Sequence, residues 1–287
     1  MNGVYLITSY PKSGNTWMRI FLNNYLRNED QPADINQLEF TSLVFLRTLF
    51  DDLLGIDSAN LRQDELDLLR PAVYRAYARI EPESGRFWKI HDAYQRLPTG
   101  ESLFPEDIVE GVIYVIRSPF DLAVSFAHHN HTSVDLAVDW MDQERYGLAM
   151  TQVAEFNQIH QRTFSWSHHV RSWVDEAPMR RLVVRYEDMF FKPKEVFTEV
   201  VRFVGLAENT EQIEKAIRFS SFDVLKEQEL RMGFQEKPQN AEMFFRKGQV
   251  GDWRSKLSSA NVEKLIHDHR AIMQRFGYLT SDDQIVY

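Results

Sequence analysis

"VYLITSYPKSGNTWMRIFLNNYL" (Val4–Leu26) runs from a short apolar stretch, through a polar loop holding a lysine and a glycine, into an amphipathic segment. The first stretch reads as a buried strand. Trp17, Ile20, Phe21 and Tyr25 recur close to helical spacing, so the segment behind the loop reads as a helix. A strand that hands over to a helix in this way places unpaired backbone N–H groups, and the positive end of the helix dipole, at the loop. Gly14 lets the backbone close around an anion, Lys12 adds a full charge, and Ser13, Asn15 and Thr16 add short donors. These residues make a phosphate cradle, although a plain helix cap beside a solvated lysine would use the same letters. The loop is not a Walker A motif, because no Gly-Lys-Ser/Thr triplet follows the first glycine at the required spacing. A magnesium-dependent nucleotide kinase or hydrolase, which would also use a strand-loop-helix cradle, is therefore disfavoured.

Outward from this unit, residues 35–80 are mostly helical in pattern, with Pro71 as an internal interruption. "RFWKI" (86–90), "GVIYVIR" (111–117) and "RRLVVR" (180–185) read as further strands, the second apolar almost throughout, as a parallel strand covered on both faces should be. "RSPFD" starts a helix with Ser118 as N-cap and Pro119 at its first position, and "KPKEVFTEVVRFVG" is a helix ending at Gly205. Strands alternating with helices give an α/β fold with a parallel sheet flanked by helices. No repeat or linker divides the chain, so residues 1–287 read as a single domain. Residues 231–253 lack periodicity and read as a long functional loop.

The 287 residues contain no cysteine, which excludes disulfides, thiolate catalysis and cysteine-ligated metal. The first apolar run is short and has no basic leader, so neither a signal peptide nor a membrane anchor is expected, and the chain reads as cytoplasmic. A net charge of −9 argues against a nucleic-acid partner. An anionic ligand must then be held by local basic clusters.

Three later stretches supply such clusters. "YVIRSPFDLAVSFAHH" ends a strand on Arg117 and places Ser125 about two turns into a helix, where both can reach one phosphate. "FFRKGQVGDW" groups Arg246 and Lys247 beside Gly248. "FWKIHDAY" sets Lys89 and His91 two apart, on the same side of an extended strand. Each has an ordinary alternative: an arginine paired with a carboxylate, a solvated basic turn, a histidine with no chemistry. His128, His129 and His131 in "HHNH" are a weak pointer to metal without carboxylate partners, and no metal is expected. Phe40, Phe45, Phe50, Tyr74, Tyr77, Trp88 and Tyr94 read as core or as the lining of a pocket.

In this order, "YPKSGNTW", "RSPFDLAVS" and "RKGQVGDW" together resemble the cytosolic-type sulfotransferase family, over about Val4 to Trp253. The resemblance implies a P-loop-like sulfotransferase fold and transfer of the sulfuryl group of 3′-phosphoadenylyl sulfate (PAPS) to the hydroxyl of a small-molecule acceptor. The 3′,5′-bisphosphate (PAP) is released, and no metal is needed. By resemblance, Lys12, Ser13, Gly14, Asn15, Thr16 and Trp17 hold the 5′-phosphate and sulfate side, with Trp17 against the adenine. Arg117, Ser125, Arg246, Lys247 and Gly248 hold the 3′-phosphate. Tyr186, in "YEDM", and Ser220 and Phe222, in "SSF", match adenine-side positions. His91 matches the catalytic base, with Lys12 and Lys89 as catalytic lysines, and the Lys89 and His91 pair counts against the other alternative, a non-catalytic nucleotide-binding protein on the same scaffold. Asn15 stands where many members carry threonine. The family's dimerisation motif survives only as Arg254, Ser258, Ser259 and Glu263, so dimerisation by that route is not expected.

Overall fold

The computed structural model describes residues 3–80, 85–149, 157–238 and 241–286. Its main sheet is built from β1 (Val4–Thr8), β2 (Thr41–Ser42), β3 (Phe87–Ile90), β4 (Val109–Ile116) and β7 (Arg181–Arg185). The strand order is β2-β3-β1-β4-β7 and every pairing is parallel. A separate small antiparallel pair joins β5 (Gly147–Leu148) to β6 (Gln161–Arg162). The helices are α1 (Asn15–Arg27), α2 (Arg47–Leu54), α3 (Gln63–Ile80), α4 (Pro119–His129), α5 (Val134–Asp142) and α6 (Trp166–Arg171). They continue with α7 (Tyr186–Phe191), α8 (Pro193–Phe203), α9 (Thr210–Phe219), α10 (Phe222–Met232) and α11 (Ser259–Arg275).

The two-residue period of the strands sorts the core onto two faces. Tyr5, Ile7, Ile113 and Val115 pack with α1, α8 and α9 through Phe21, Phe197 and Ile213. Leu6, Trp88, Val112 and Tyr114 pack on the other face with α3, α4, α6 and α11 through Tyr74, Phe126, Trp166 and Leu265. Burial on both faces explains why β4 reads as a continuous apolar run. Phe45, Phe50, Tyr74, Trp88 and Tyr94 are buried in this second cluster, Tyr77 packs against it, and Phe40 packs against the first.

The four expected strands are present with small shifts at their ends. Residues 35–80 depart from the expected helical lobe: 35–46 holds the edge strand β2, and helix resumes only in α2 and α3. Pairing with β3 extends this short segment, at Thr41↔Phe87 and Ser42↔Trp88, and two residues are too few to show a period of their own. Pro71 does not interrupt α3. The helix is held on both sides of it, where Arg70 donates to Tyr74 Oη and reaches Asp92 at 2.6 Å. Ser118 takes the N-cap position and Pro119 the first helical position, but the Ser118 hydroxyl makes no cap bond. Its backbone N–H instead donates to Glu187 at 2.9 Å. Ser258 accepts from Asn261 N as the N-cap of α11, a local use for one remnant of the degenerate motif. The loop expected over 231–253 is shorter at both ends: α10 runs to Met232 and a 3₁₀ turn begins at Asp252, and between them no regular element occurs among the described residues, which leave out 239 and 240.

Strand β1 lies between β3 and β4, so the chain runs outward from it in both directions, and the crevice beyond its carboxyl end is a topological switch point. Thr8 pairs with Ile90 and Tyr114, and Ile116 pairs with Arg185. The residues that follow these strands, Ser9, His91, Arg117 and Tyr186, therefore emerge along one edge of the sheet.

Candidate active site

The loop behind β1 is held in a shape that few residues adopt. Lys12 has φ +70° and Gly14 φ +109°, both left-handed. A Cβ on Gly14 would come within 2.8 Å of the Tyr186 ring, so close packing as well as conformation requires glycine there. Helix α1 then starts at Asn15 with no side-chain cap, which leaves its first-turn N–H groups facing the loop. Ser13 is buried, and its hydroxyl has no partner among the described residues. Asn15 turns its amide inward, donating to Ile7 O at 2.7 Å, so its side-chain donor is tied to β1.

Arg117, at the end of β4, reaches this loop directly. Its Nη1 donates to Lys12 O at 3.0 Å, and its guanidinium lies 4.3 Å from the centre of the Tyr186 ring. Trp17 meets Tyr186 edge-on at 5.7 Å. Ser125 and Arg246, distant in sequence, line one small cleft with Lys12, His128, His129, Met243 and Phe244. Asp121, in the first turn of α4, explains the convergence: it accepts from Gly251 N at 2.6 Å and from Trp253 N at 3.1 Å. Trp253 also stacks on Phe120 at 4.8 Å. Helix α4 thus carries Ser125 and anchors the segment bearing Arg246. That arginine and Lys247 both bind Asp252, at 2.8 and 2.5 Å. At Gly248, φ is +56°, and a Cβ would overlap the Phe222 ring, which fits only against a glycine. Ser220 is fully buried and its hydroxyl donates back to Ala216 O, so beside Gly248 it is Phe222 that presents a surface.

His91 and Lys89 lie at the end of β3. His91 Nδ1 is 2.8 Å from Ser9 O. A carbonyl oxygen only accepts, so Nδ1 carries the proton and Nε2 keeps a free lone pair. Burial, and then the Lys89 charge, hold the imidazole well below its ordinary pKa, so it is neutral at pH 7. The backbone is fixed as well: His169 Nε2 is 3.1 Å from His91 O, and Tyr114 Oη is 2.8 Å from His169 Nδ1. Burial, with Arg117 and Lys89 nearby, lowers Lys12 to about 7. The Phe244 ring lies 3.7 Å from its Nζ.

Several groups here had no place in the sequence reading. Glu236 binds Arg19 and Lys89, Phe244 covers Lys12, and Asp252 ties Arg246 to Lys247. Arg19 left a signal, a charge among the apolar residues of α1 that is 1% exposed and must have an anion. Glu236, in an aperiodic stretch, left none. Among the described residues no group of three or more histidines and carboxylates is placed to hold a metal, and the "HHNH" histidines make no such cluster. No helix among those residues is long and apolar enough to cross a membrane.

These donors and cations suit a ligand with separated anionic groups, and Ser13 Oγ and Arg117 Nε are buried polar atoms left over to meet it. The rat protein named sulfotransferase 1 family member D1 is 26% identical over 92% of this chain and 81% of its own. The flavonol 3-sulfotransferase of Flaveria bidentis is 26% identical over 92% and 79%. Among solved structures, mouse sulfotransferase SULT7A1 complexed with PAP superposes with a TM-score of 0.62 at 20% identity, covering 98% of this chain and 86% of that one. Retinol dehydratase in complex with androsterone and PAP gives 0.60 at 18%, covering 99% and 82%. At such identities these two likenesses concern the fold. The profile of the sulfotransferase domain matches residues 4–277, nearly the whole chain, and with the cradle, Arg117 and the "RKGQVGDW" turn gathered on one edge of the sheet, the chain belongs to the sulfotransferase family.

Proposed function

We propose that this sulfotransferase uses His91 as general base, with Lys12 and Lys89 as the cations that follow the developing charge, and acts on a small hydroxylated molecule. It takes the sulfuryl group from PAPS and leaves PAP. The observation that carries the assignment is the His91–Ser9 hydrogen bond, which leaves Nε2 as an unprotonated base on the sheet edge that also bears the cradle. Nε2 takes the acceptor's hydroxyl proton as the acceptor oxygen bonds to sulfur. The bond from sulfur to the bridging oxygen of the 5′-phosphate breaks, and its electron pair stays on that oxygen. Lys12 and Lys89, fixed before reaction, stabilise that charge. The cradle, residues 12–17, supplies the 5′-phosphate side. Arg117, Ser125, Arg246, Lys247 and Gly248 supply the 3′-phosphate side, where planar guanidinium groups grip phosphate in bidentate fashion. Trp17, Tyr186 and Phe222 provide ring faces for adenine, and Ser220, buried just after α9, stands two residues before Phe222.

The same reading makes residues 1–287 one cytoplasmic domain with no metal, membrane or nucleic acid in its work. An acceptor screen with PAPS, read by mass spectrometry and repeated with a chelator, tests it. Transfer of a sulfuryl mass to phenols or alcohols, with equal rates when divalent metals are stripped, is the expected result. Transfer to none of them, or loss of rate restored by magnesium, contradicts it.

A further inference from the structure

Glu236 meets two cations of the sheet edge together, Lys89 and Arg19. Its Oε1 and Oε2 are 2.6 and 2.8 Å from Arg19 Nη2, and Oε2 is also 2.7 Å from Lys89 Nζ. The three side chains are 15%, 1% and 12% exposed. Arg19 lies on α1 one turn beyond Thr16, whose hydroxyl it also reaches at 3.4 Å, so the cradle helix itself anchors the carboxylate. From this geometry we propose that Glu236 is a positioning residue for sulfuryl transfer: clamped by Arg19, it aims the Lys89 ammonium and keeps it a charged donor at the end of β3. The inference rests on the role given to Lys89 above.

The charges facing Lys89 make the need plain. Arg19 approaches from α1, Lys12 from the cradle, His91 from the end of its own strand and His129 from α4, while the Phe45 ring lies 5.2 Å from Nζ. Arg19 is a cation, Lys12 is one below about pH 7, and the two imidazoles are held neutral by burial. Burial lowers Lys89, Arg19 lowers it further, and Glu236 opposes both. Without that carboxylate, Lys89 would give up its proton at lower pH and swing free of its hydrogen bond. Arginine holds the carboxylate in place because it stays charged when buried, so the lysine is the partner whose state Glu236 decides.

The test is the pH titration of the Lys89 ¹³Cε resonance in the full chain, assigned with Lys89→Arg, for wild type and Glu236→Gln. It is joined to kcat with PAPS and the acceptor found by the screen. Glu236→Gln should titrate at clearly lower pH and lose about 10- to 100-fold in kcat, with PAP affinity changed less than about threefold and the alkaline limb of kcat moved to lower pH, because kcat falls as Lys89 deprotonates. Glu236→Asp should recover most of the rate. Should the single variant fail to fold with Arg19 left buried and unpaired, the double variant Arg19→Met/Glu236→Leu removes both charges and should fold while still losing rate. An unmoved Lys89 titration, or wild-type kcat in either variant, overturns the proposal. The role of Lys89 is judged separately by Lys89→Ala: full kcat there ends that role and this inference with it, whereas a large loss beside an unaffected Glu236→Gln ends the inference alone.

Discussion

His91→Ala is expected to lose about 10²- to 10⁴-fold in kcat, the usual range for a positioned general base, while PAP binds nearly as it does to wild type. The two effects separate because the imidazole is on the β3 end of the sheet edge, whereas the groups we assign to the phosphates come from the cradle, α4 and the turn at Gly248. The pH profile supplies an internal check. His91 works as a base only when neutral, and its pKa lies well below the ordinary 6.5, so the acid limb of kcat/KM in wild type should fall below pH 6.5. A histidine that merely braced Ser9 O would show the reverse pattern: a lower melting temperature with almost unchanged kcat in the folded fraction. Measuring kcat, melting temperature and PAP affinity on one preparation distinguishes the two, with an alcohol as acceptor so that the substrate is not already ionised.

Lys12→Met should reduce kcat by about 10²- to 10³-fold, the effect typical of removing one preorganised donor from a developing anion. Methionine keeps apolar contact with the Phe244 ring, so the change isolates the charge. With its pKa lowered to about 7, Lys12 in the free protein is charged below that pH and neutral above it. In wild type, kcat/KM should therefore decline as pH rises through about 7, and in Lys12→Met that limb should vanish. A variant within threefold of wild type, or one that keeps the limb, contradicts the assignment.

The strand-loop-helix unit was legible because local rules govern it. Apolar β1, the left-handed glycine and the apolar spacing of α1 each follow from nearby residues. The strand β4 was equally plain, since burial on both faces leaves a continuous apolar run. Strand β2 was not, because two residues become a strand only by pairing with β3. Pro71 misled for a related reason: tertiary contacts of Arg70 and Tyr74 hold α3 across a residue that would weaken an isolated helix. At the site, sequence showed the cations by type and left their counter-charges hidden. Asp252 sits five or six residues from its partners, but Glu236 is 147 residues from Lys89 and 217 from Arg19, a pairing that only the fold creates. The convergence of Ser125 with Arg246 depends on Asp121 catching two backbone N–H groups, which residue types alone do not announce.

Comparing PAP with AMP by titration calorimetry tests the central claim most directly, that two separate phosphate sites are built from the cradle and from Arg117, Ser125 and the Arg246–Gly248 turn. Hydrogen bonds to a charged group contribute about 1.5 to 3 kcal/mol each, so two of them on the 3′-phosphate, about 3 to 6 kcal/mol together, should make PAP bind at least about 100-fold more tightly than AMP. Arg246→Ala should erase much of that difference and leave AMP affinity almost unchanged. Equal affinities for PAP and AMP in wild type would contradict the account, because the second cluster of cations would then hold no phosphate.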